Sequence, residues 1–282
     1  MEIRYVDIYE YFGVTGPEGH EGKLTLWHHA TSGEVSPNRR RPAVLILPGG
    51  GYGFTSDREA EPVAYRFLSM GYVPFVLRYT CGGHPFPVQL REAAMAMCYI
   101  RQQAEKLEVD PHMVAAMGFS AGGHLCGTLG TMFDCPEVAD IGTGEQIRPD
   151  ALALCYPVTL GWGKTHGGTM QNISGGDEAL RMRLSLDSQV RPDMPPTYLW
   201  CTRDDGAVPC RNSIILAEKM DEAGVDFTFH LYRHGWHGLS LANDQVYQAD
   251  VTGHFSPNVP GWVEDCHRFW CEIGFRITDL EE

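Results

Sequence analysis

The sequence predicts an α/β fold with a mostly parallel central sheet, helices on both faces of the sheet and a small cap-like insertion. The first observation is a set of short runs that are apolar at nearly every position, such as PAVLILPGG (Pro42–Gly50) and MVAAMGFS (Met113–Ser120). The second observation is that runs with apolar residues at helical spacing alternate with them along the chain. Strands that are apolar on both faces belong to parallel sheets covered by helices on two sides.

Each element of this sheet is predicted from its own run of residues. The predicted strands cover Pro42–Gly50, Tyr72–Thr80, Met113–Ser120, Asp150–Val158, Pro195–Asp205 and Val225–Arg233. The predicted helices cover Glu59–Gly71, Pro87–Leu107, Ala121–Phe133, Cys210–Gly224 and Gly261–Phe275. In the second helix the apolar residues share one face and follow a proline suited to the first turn, which favours a helix packed on the sheet.

The alternation breaks between Thr159 and Met194, where Gly, Ser and Met are frequent. Open α/β sheets bind their ligands at the carboxyl ends of the strands, and this stretch lies between two predicted strands. We therefore predict an insertion at 159–194 that lies over the active site. The chain of 282 residues has no visible internal repeat, so one domain over 1–282 is predicted.

The charge of the chain argues against two classes of partner. The formal net charge is −14, whereas nucleic acids and anionic membranes require clustered Lys and Arg. The densest basic run, NRRRP (Asn38–Pro42), is interpreted as a solvated loop before a strand. We predict no nucleic-acid partner and no membrane partner.

The cysteines and the N-terminal residues indicate the cellular compartment of the protein. Nine cysteines occur without CxxC pairs, which favours neither a disulfide framework nor a zinc knuckle. The first stretch, MEIRYVDIYEYFGV, lacks the apolar core of a signal peptide, and no run approaches ~18 apolar residues. A cytoplasmic location is the expectation.

A serine stands at the corner between a predicted strand and a predicted helix. The run Gly118–Gly122 reads GFSAG and matches G-x-S-x-G, with the strand before it and the helix after it that this motif requires. Glycines let such a turn be tight, which lifts Ser120 Oγ out of the backbone at a helix N-terminus that favours negative charge. The alternative is a glycine-cornered turn without catalysis, since a chain with 32 glycines can match the motif by chance.

A nucleophilic serine requires a histidine base and a carboxylate that orients it. The loop after the last predicted strand, RHGWHGLSL, offers His234 and His237, and the loop after the preceding strand offers Asp204 and Asp205. The order Ser, Asp, His along the chain is the order of α/β enzymes with this serine turn. The sequence therefore predicts a catalytic triad that includes Ser120.

These motifs resemble the α/β-hydrolase family, and in particular its carbohydrate-esterase-like branch with acetyl xylan esterases and acetylesterases. The resemblance covers the chain from about Pro42 onward and rests on PGGGY, REAEPVA, GFSAGGHL, PPTYLW, DDGAVP and HGWHGLSL. In that branch the aspartate precedes Val-Pro by three residues and the histidine precedes Gly-Leu, which implies Asp205 and His237. Asp204 and His234 stay open as the alternative partners.

Acyl transfer also requires donors for the oxyanion, and backbone N–H groups supply them without reorganisation. Ala121 directly follows the serine, and Gly50 and Gly51 follow the first core strand in a loop where glycine permits close approach. We predict that these three residues form the oxyanion hole. Related lipases and esterases often begin this loop with His, whereas Pro48 stands here, so the identity of the donors stays open.

Other polar residues near these motifs receive structural interpretations. His124 follows the serine by one helical turn and is expected to be a packed or hydrogen-bonded histidine rather than a base. Glu59 and Glu61 stand at a helix start, where negative charge is favoured, and are expected to cap the helix rather than to act as catalytic acids. The histidines lack the spacing of a metal site, so no metal is predicted.

Four aromatic residues fall in loops expected around the serine, and sugar rings stack well on aromatic faces. We predict that Tyr52, Tyr156, Trp162 and Trp236 bind substrate, although core packing is the alternative for about half of such residues. Trp200 and Trp270 lie within a strand and a helix. They are assigned to the core.

The sequence thus predicts a serine carboxylesterase that hydrolyses short-chain esters, acetyl esters first, of sugars or xylo-oligosaccharides. The acidic charge suits a neutral sugar, and the mechanism needs no cofactor. A peptidase or arylformamidase with the same triad stays open, as does a non-catalytic ligand binder on a hydrolase scaffold. The expected partner is a small-molecule ester or acetylated sugar, and a homo-oligomer stays open.

Overall fold

The strands and helices of this protein alternate along most of the chain. The computed structural model describes residues 1–29, 34, 38–247 and 254–279. The strands are β1 (Glu2–Asp7), β2 (Lys23–His28), β3 (Arg39–Leu47), β4 (Val73–Arg78), β5 (Val109–Phe119), β6 (Ala151–Cys155), β7 (Thr197–Thr202), β8 (Phe227–Tyr232) and β9 (Thr278–Asp279). The helices are α1 (Ile8–Phe12), α2 (Glu61–Ser69), α3 (Val88–Gln102), α4 (Ala121–Thr131), α5 (Gly144–Ile147), α6 (Gly167–Ser174), α7 (Glu178–Arg183), α8 (Arg211–Ala223) and α9 (Trp262–Glu272).

The central sheet has the strand order β1-β2-β4-β3-β5-β6-β7-β8. The strands from β3 to β8 pair in parallel, and β1 and β2 extend one edge in antiparallel fashion. Strand β9 pairs with the beginning of β3. The predicted α/β fold with a mostly parallel sheet is confirmed, and the six parallel strands are the six that the sequence predicts.

Helices cover both faces of the sheet, as the apolar strands require. Along β3, Ala43, Leu45 and Leu47 join a core with α3, α4 and α8, whereas Val44 and Ile46 join a second core with α2 and α9. Neighbouring side chains of a strand point to opposite faces, so an apolar strand supplies both cores. Trp200 and Trp270 are fully buried in the second core, which confirms their assignment.

The observed structure contains elements that the sequence did not predict, namely β1, β2, β9, α1 and α5, and it differs from three of the predicted segments. Residues Arg39–Pro42, predicted as a solvated loop before a strand, form the start of β3, and Arg41 is buried. Helix α3 ends at Gln102 instead of Leu107, because residues 103–108 form turns that end at Glu108 with φ +54° and lead into β5. The stretch 159–194, in which the sequence shows a break in the alternation and predicts no elements, contains α6, α7 and a 3-10 turn at Leu186–Ser188. These helices are short, and the glycines and serines around them hide their periodicity in the sequence. The single domain and the position of the insertion stay predictions.

The longest helix in the described part of the chain is α3, with 15 residues. None of the described helices combines the length and the apolar character needed to span a bilayer.

Candidate active site

Ser120 occupies the sharp turn between β5 and α4. Its backbone has φ 54° and ψ −115°, a conformation that costs a residue with a side chain roughly 1–3 kcal/mol. Neighbouring backbone groups fix this turn, because the Ser120 N–H donates to Cys155 O at 3.0 Å and the Ser120 carbonyl accepts from Val158 N and His124 N. The turn is thus held between β6 and the first turn of α4.

Gly122 allows α4 to approach the end of β3 more closely than any other residue would. A Cβ atom at this position would lie 2.0 Å from Leu47 O and 2.4 Å from Pro48 O. Backbone oxygens at the end of a strand have little freedom to move away. The second glycine of the G-x-S-x-G motif is therefore required by packing, and that packing places Ser120 at the carboxyl end of the sheet.

Ser120, His237 and Asp205 form a continuous line of hydrogen bonds. Ser120 Oγ lies 2.7 Å from His237 Nε2, and His237 Nδ1 lies 2.7 Å from Asp205 Oδ2. The Asp205 side chain is fully buried, and its Oδ1 accepts from the N–H groups of Ala207 and Val208 at 2.8 Å each. A carboxylate accepts hydrogen bonds, so His237 carries its proton on Nδ1 and offers Nε2 as an acceptor to the serine hydroxyl.

The two alternative partners form a separate pair at the surface. His234 Nδ1 lies 2.9 Å from Asp204 Oδ2, and Asp204 Oδ1 accepts from Gly235 N at 2.8 Å. Both side chains are about half exposed. The hydrogen bond from His234 lowers the pKa of the Asp204 carboxyl. The structure therefore brings Asp205 and His237 to the serine and places Asp204 and His234 beside them as a loop pair.

The glycine loop after β3 lies against Ser120. Gly50 and Gly51 have φ values of +128° and +65°, and Gly50 O accepts from Gly53 N at 3.0 Å in a tight turn. A Cβ atom on Gly50 would lie 2.0 Å from Phe54 O, so the turn requires glycine. Ala121 is the first residue of α4. The predicted oxyanion donors thus lie in the loop and at the helix start that flank the serine.

A cavity of about 260 Å³ opens at Ser120. Its lining includes His237 together with Gly50, Gly51, Arg58 and His166. A larger cleft of about 920 Å³ is lined by Arg101, Phe133 and Arg148 among others and includes none of the predicted site residues. We assign the smaller cavity to the site because it contains the serine and histidine.

Glu59 is a buried carboxyl group of this site for which the predicted role is wrong. It lies in a 3-10 turn before α2, is 3% exposed and does not cap the helix. Its Oε2 accepts from Gly49 N at 2.8 Å and its Oε1 from Tyr156 Oη at 2.7 Å. Burial raises the pKa of Glu59. Glu61, at the start of α2, instead forms an ion pair with Arg78 at 2.7 Å.

Tyr52 and Tyr156 do not offer faces to a sugar. Both rings are 2% exposed, so their predicted role in stacking on substrate is wrong. Tyr52 Oη lies 2.8 Å from His124 Nδ1, and Tyr156 Oη is taken by Glu59. Both rings pack into the apolar core behind their loops instead of facing the cavity.

His124 is fully buried, as its interpretation as a packed histidine expects. Its Nε2 lies 2.8 Å from Leu184 O, so Nε2 donates and Nδ1 accepts from Tyr52 Oη. Burial lowers the pKa of His124 to about 4. The ring therefore stays neutral and joins α4, the glycine loop and the stretch after α7.

Trp162 lies in the stretch 159–194, and Trp236 directly precedes His237. Trp162 is 37% exposed and donates from Nε1 to Asp187 Oδ2 at 3.0 Å. Trp236 is half-buried and packs edge-on against Tyr247 and Phe255. Neither side chain lines the cavity at Ser120 in the part of the chain that the structure describes. Their role in substrate binding stays a prediction.

Two residues of the stretch 159–194 contact the site, and sequence reasoning missed both. His166 lines the cavity, and Asn172 donates from Nδ2 to Gly51 O at 2.8 Å. The signal for them was weak, because no motif surrounds either residue. Over residues 1–29, 34, 38–247 and 254–279, no group of three or more His, Cys, Asp or Glu side chains could hold a metal ion.

Comparison with known proteins gives relatives that include a xylanase and an acetylxylan esterase. The family described as BD-FAE matches residues 34–146. The endo-1,4-beta-xylanase B of Butyrivibrio fibrisolvens is 35% identical over 77% of this chain and 35% of that protein. The acetylxylan esterase of Xylanibacter ruminicola is 29% identical over 84% of this chain and 49% of that protein. The chain thus spans about a third to a half of the length of these curated relatives.

Several solved structures match nearly the whole chain, including two at more than 30% identity. An acetyl ester-xyloside bifunctional hydrolase from Caldicellulosiruptor lactoaceticus has a TM-score of 0.77 and 34% identity over 90% of this chain and 88% of that chain. MGS-M1, an alpha/beta hydrolase enzyme from a Medee basin deep-sea metagenome library, has a TM-score of 0.77 and 31% identity over 97% of this chain and 98% of that chain. The chain belongs to the α/β-hydrolase family. The predictions of the family and of a hydrolase are confirmed.

Proposed function

We propose that this hydrolase is a serine carboxylesterase that removes short acyl groups, acetyl above all, from sugars or xylo-oligosaccharides. The observation that carries the proposal is the line of two 2.7 Å hydrogen bonds from Ser120 through His237 to Asp205. A serine hydroxyl attacks an ester only when a base takes its proton, and this geometry supports His237 as that base and Asp205 as the carboxylate that orients it.

Acylation begins at the bond between Ser120 and His237. His237 Nε2 takes the hydroxyl proton while Ser120 Oγ attacks the ester carbonyl carbon. The carbonyl oxygen becomes an oxyanion, for which the N–H groups of Ala121, Gly50 and Gly51 are the proposed donors. Asp205 stabilises the imidazolium and holds its tautomer, because its buried Oδ2 accepts from Nδ1.

Collapse of the tetrahedral intermediate breaks the bond to the alcohol. His237 Nε2–H gives its proton to the leaving oxygen, so the alcohol departs neutral and the acyl group stays on Ser120 Oγ. Water then gives a proton to His237 and attacks the acyl carbon, and the same proton returns to Ser120 as the carboxylic acid leaves. The net reaction is ester plus water to acid plus alcohol.

Two observations support a small acyl group and a sugar alcohol. The cavity of about 260 Å³ is smaller than the roughly 300–1,000 Å³ of sites for drug-sized ligands, which favours a compact substrate. The relatives include proteins named acetylxylan esterase and acetyl ester-xyloside bifunctional hydrolase. Trp162 and Trp236 are proposed to contact parts of the sugar that extend beyond the cavity.

The domain organisation is part of the same proposal. We propose that the chain forms one hydrolase domain, in which 159–194 is an insertion over the active site. His166 and Asn172 support this position, since the first lines the cavity and the second binds the Gly51 carbonyl. The homo-oligomer and the cytoplasmic location stay predictions.

A chain-length series of p-nitrophenyl esters, from acetyl to octanoyl, tests the proposal together with acetylated xylo-oligosaccharides. We expect turnover to fall with acyl length, acetate to be released from the sugars, and Ser120→Ala to lose about 10³-fold or more in kcat. Ser69→Ala, at the exposed end of α2, is the matched serine control and should keep wild-type rates.

Each part of the proposal has its own contrary result. Ester turnover retained in Ser120→Ala would refute the mechanism. Turnover of long acyl chains without release of acetate from the sugars would refute the substrate class. Turnover of peptides or aryl formamides in place of esters would refute the bond that we propose.

A further inference from the structure

His166 is a polar side chain of the cavity for which the proposed reaction has no use. It stands directly before α6, and its half-buried ring lines the same cavity as Ser120 and His237. A Cβ atom on Gly51 would lie 3.8 Å from His166 Cε1 and equally far from Thr169 Oγ1. The imidazole therefore lies beside the glycine loop and faces the space where substrate would bind.

The contacts of His166 fix which ring nitrogen carries the proton. Its Nδ1 accepts from the Thr169 backbone N–H at 3.2 Å and lies 2.8 Å from Thr169 Oγ1. A backbone N–H only donates, so Nδ1 has no proton, and in the neutral ring the proton is on Nε2. Burial and the nearby His237 lower the pKa of His166, which keeps the ring neutral.

Among the residues that the structure describes, none accepts a hydrogen bond from the Nε2–H group of His166. A neutral N–H donor suits a neutral oxygen acceptor. An acetylated sugar has its carbonyl oxygen at the backbone amides of the oxyanion hole. Apart from the ester oxygen that His237 protonates, the acceptors that remain on such a substrate are the hydroxyl, ring and glycosidic oxygens of the alcohol half, and of these the hydroxyl oxygens are the most accessible.

We infer that His166 Nε2–H forms a subsite for a hydroxyl oxygen of the alcohol half of the substrate. This inference rests on the proposed function and names a specificity-determining residue within it. A substrate with the hydroxyl satisfies the donor, whereas an alcohol without it leaves a partly buried N–H unpaired. The site therefore selects polyhydroxylated alcohols over plain ones.

Two substitutions separate the donor from the helix cap. In His166→Asn, a short amide oxygen takes the place of Nδ1 and still accepts from Thr169 N, but no donor reaches the cavity. In His166→Gln, the longer amide N–H₂ takes the place of Nε2 and still donates, but the cap at α6 is lost. The first variant tests the subsite, and the second tests whether loss of the cap alone changes selectivity.

The substrates for this test are a monoacetylated methyl xyloside and cyclohexyl acetate, which has a six-membered ring without hydroxyls. For His166→Asn we expect kcat/KM to fall about 3- to 10-fold on the xyloside, the effect of one neutral hydrogen bond, and to stay within about twofold on cyclohexyl acetate. His166→Gln should keep the wild-type ratio of the two substrates and show a lower Tm. An equal loss on both substrates in His166→Asn, or a wild type that prefers cyclohexyl acetate, would overturn the inference.

A binding measurement keeps the inference separate from the proposed function. Titration of xylobiose into Ser120→Ala and into Ser120→Ala/His166→Asn, followed by NMR, needs no turnover. We expect the second protein to bind about 3- to 10-fold more weakly. Equal affinity, or no binding to either protein, overturns the subsite, whereas absence of Ser120-dependent ester turnover overturns the proposed function.

Discussion

Glu59 Oε2 accepts the backbone N–H of Gly49 at 2.8 Å, directly before the glycines that flank Ser120. The other oxygen of the same carboxyl accepts from Tyr156 Oη, and Tyr156 Oη accepts in turn from Ser240 N at 2.8 Å. Ser240 lies three residues after His237. One buried carboxyl thus connects the loop of the proposed oxyanion donors to the loop that carries the proposed base.

Glu59→Gln should reduce stability, and most strongly at acidic pH. The Gln amide keeps one oxygen that can accept a hydrogen bond, but its NH₂ group is a donor that faces another donor, the Tyr156 hydroxyl. One buried hydrogen bond is therefore lost, and the free energy of unfolding should fall by about 1–3 kcal/mol. Burial raises the pKa of Glu59 above its ordinary value of 4.5. Protonation of this carboxyl is therefore more favourable in the folded protein than in the unfolded chain, so the stability from Glu59 is largest below pH 4.5 and declines as pH rises through the raised pKa.

Urea unfolding of wild type and Glu59→Gln at about pH 5 and about pH 8 measures this difference. Groups that titrate equally in both proteins cancel in the comparison. The gap in unfolding free energy should be smaller at the higher pH. A gap that widens with pH would mean that the folded protein favours the ionised carboxyl, contrary to the effect of burial.

The strand and helix pattern could be predicted from the sequence because it is local. Strand β3 is apolar at every position from Ala43 to Leu47, and such a run has few alternatives to a buried strand. The serine turn was likewise visible, because the glycine at position 122 is required by a close approach that recurs wherever this turn is built. The order of Ser120, Asp205 and His237 along the chain follows from the same topology.

The parts that the sequence did not reveal depend on contacts between distant segments. Glu59 and Tyr156 are 97 residues apart, and nothing near Glu59 in the sequence distinguishes a buried carboxyl from a helix cap. His166 lies in a stretch with many glycines, and its tautomer depends on where α6 begins. Tyr52 points inward because its hydroxyl donates to His124 Nδ1. The position of His124 depends on how α4 packs, and the sequence around Tyr52 does not show this.

Asp205→Asn and Asp204→Asn form a matched pair one residue apart. Asp205 is fully buried and holds His237 Nδ1, so its amide would favour the wrong tautomer, and kcat should fall about 10³- to 10⁴-fold. Asp204 holds the exposed His234, and its amide should leave kcat within about threefold. Comparable losses in both variants, with wild-type Tm, would contradict the assignment of Asp205.

His124→Gln should reduce the loss of unfolding free energy that the wild type shows as the pH falls. Burial lowers the pKa of His124 from its ordinary 6.5 to about 4, so between these values the unfolded chain binds a proton that the folded protein does not. His124 therefore contributes stability above pH 6.5 that is lost as pH falls toward 4, at up to about 1.4 kcal/mol per pH unit. Gln still donates to Leu184 O but does not titrate.

Chemical unfolding across this pH window compares the two slopes. The wild type should lose stability more steeply than His124→Gln between about pH 6.5 and about pH 4. Equal slopes would mean that His124 takes up a proton in the folded protein and that its buried contacts are absent in solution.

Gly122→Ala and Gly127→Ala test the close approach of α4 to β3. A Cβ atom on Gly122 would meet the backbone oxygens of Leu47 and Pro48, whereas one on Gly127 would meet the end of the Leu186 side chain, which can rotate away. Gly122→Ala should therefore cost about 3 kcal/mol of unfolding free energy, and a shift of the serine turn should lower kcat about 10²-fold.

Gly127→Ala lies in the same helix, where alanine is favoured, and should stay within about 1 kcal/mol of wild type with unchanged kcat. If both variants behave alike, the contact between Gly122 and the end of β3 is looser than 2.0 Å implies, and the position of Ser120 does not depend on it.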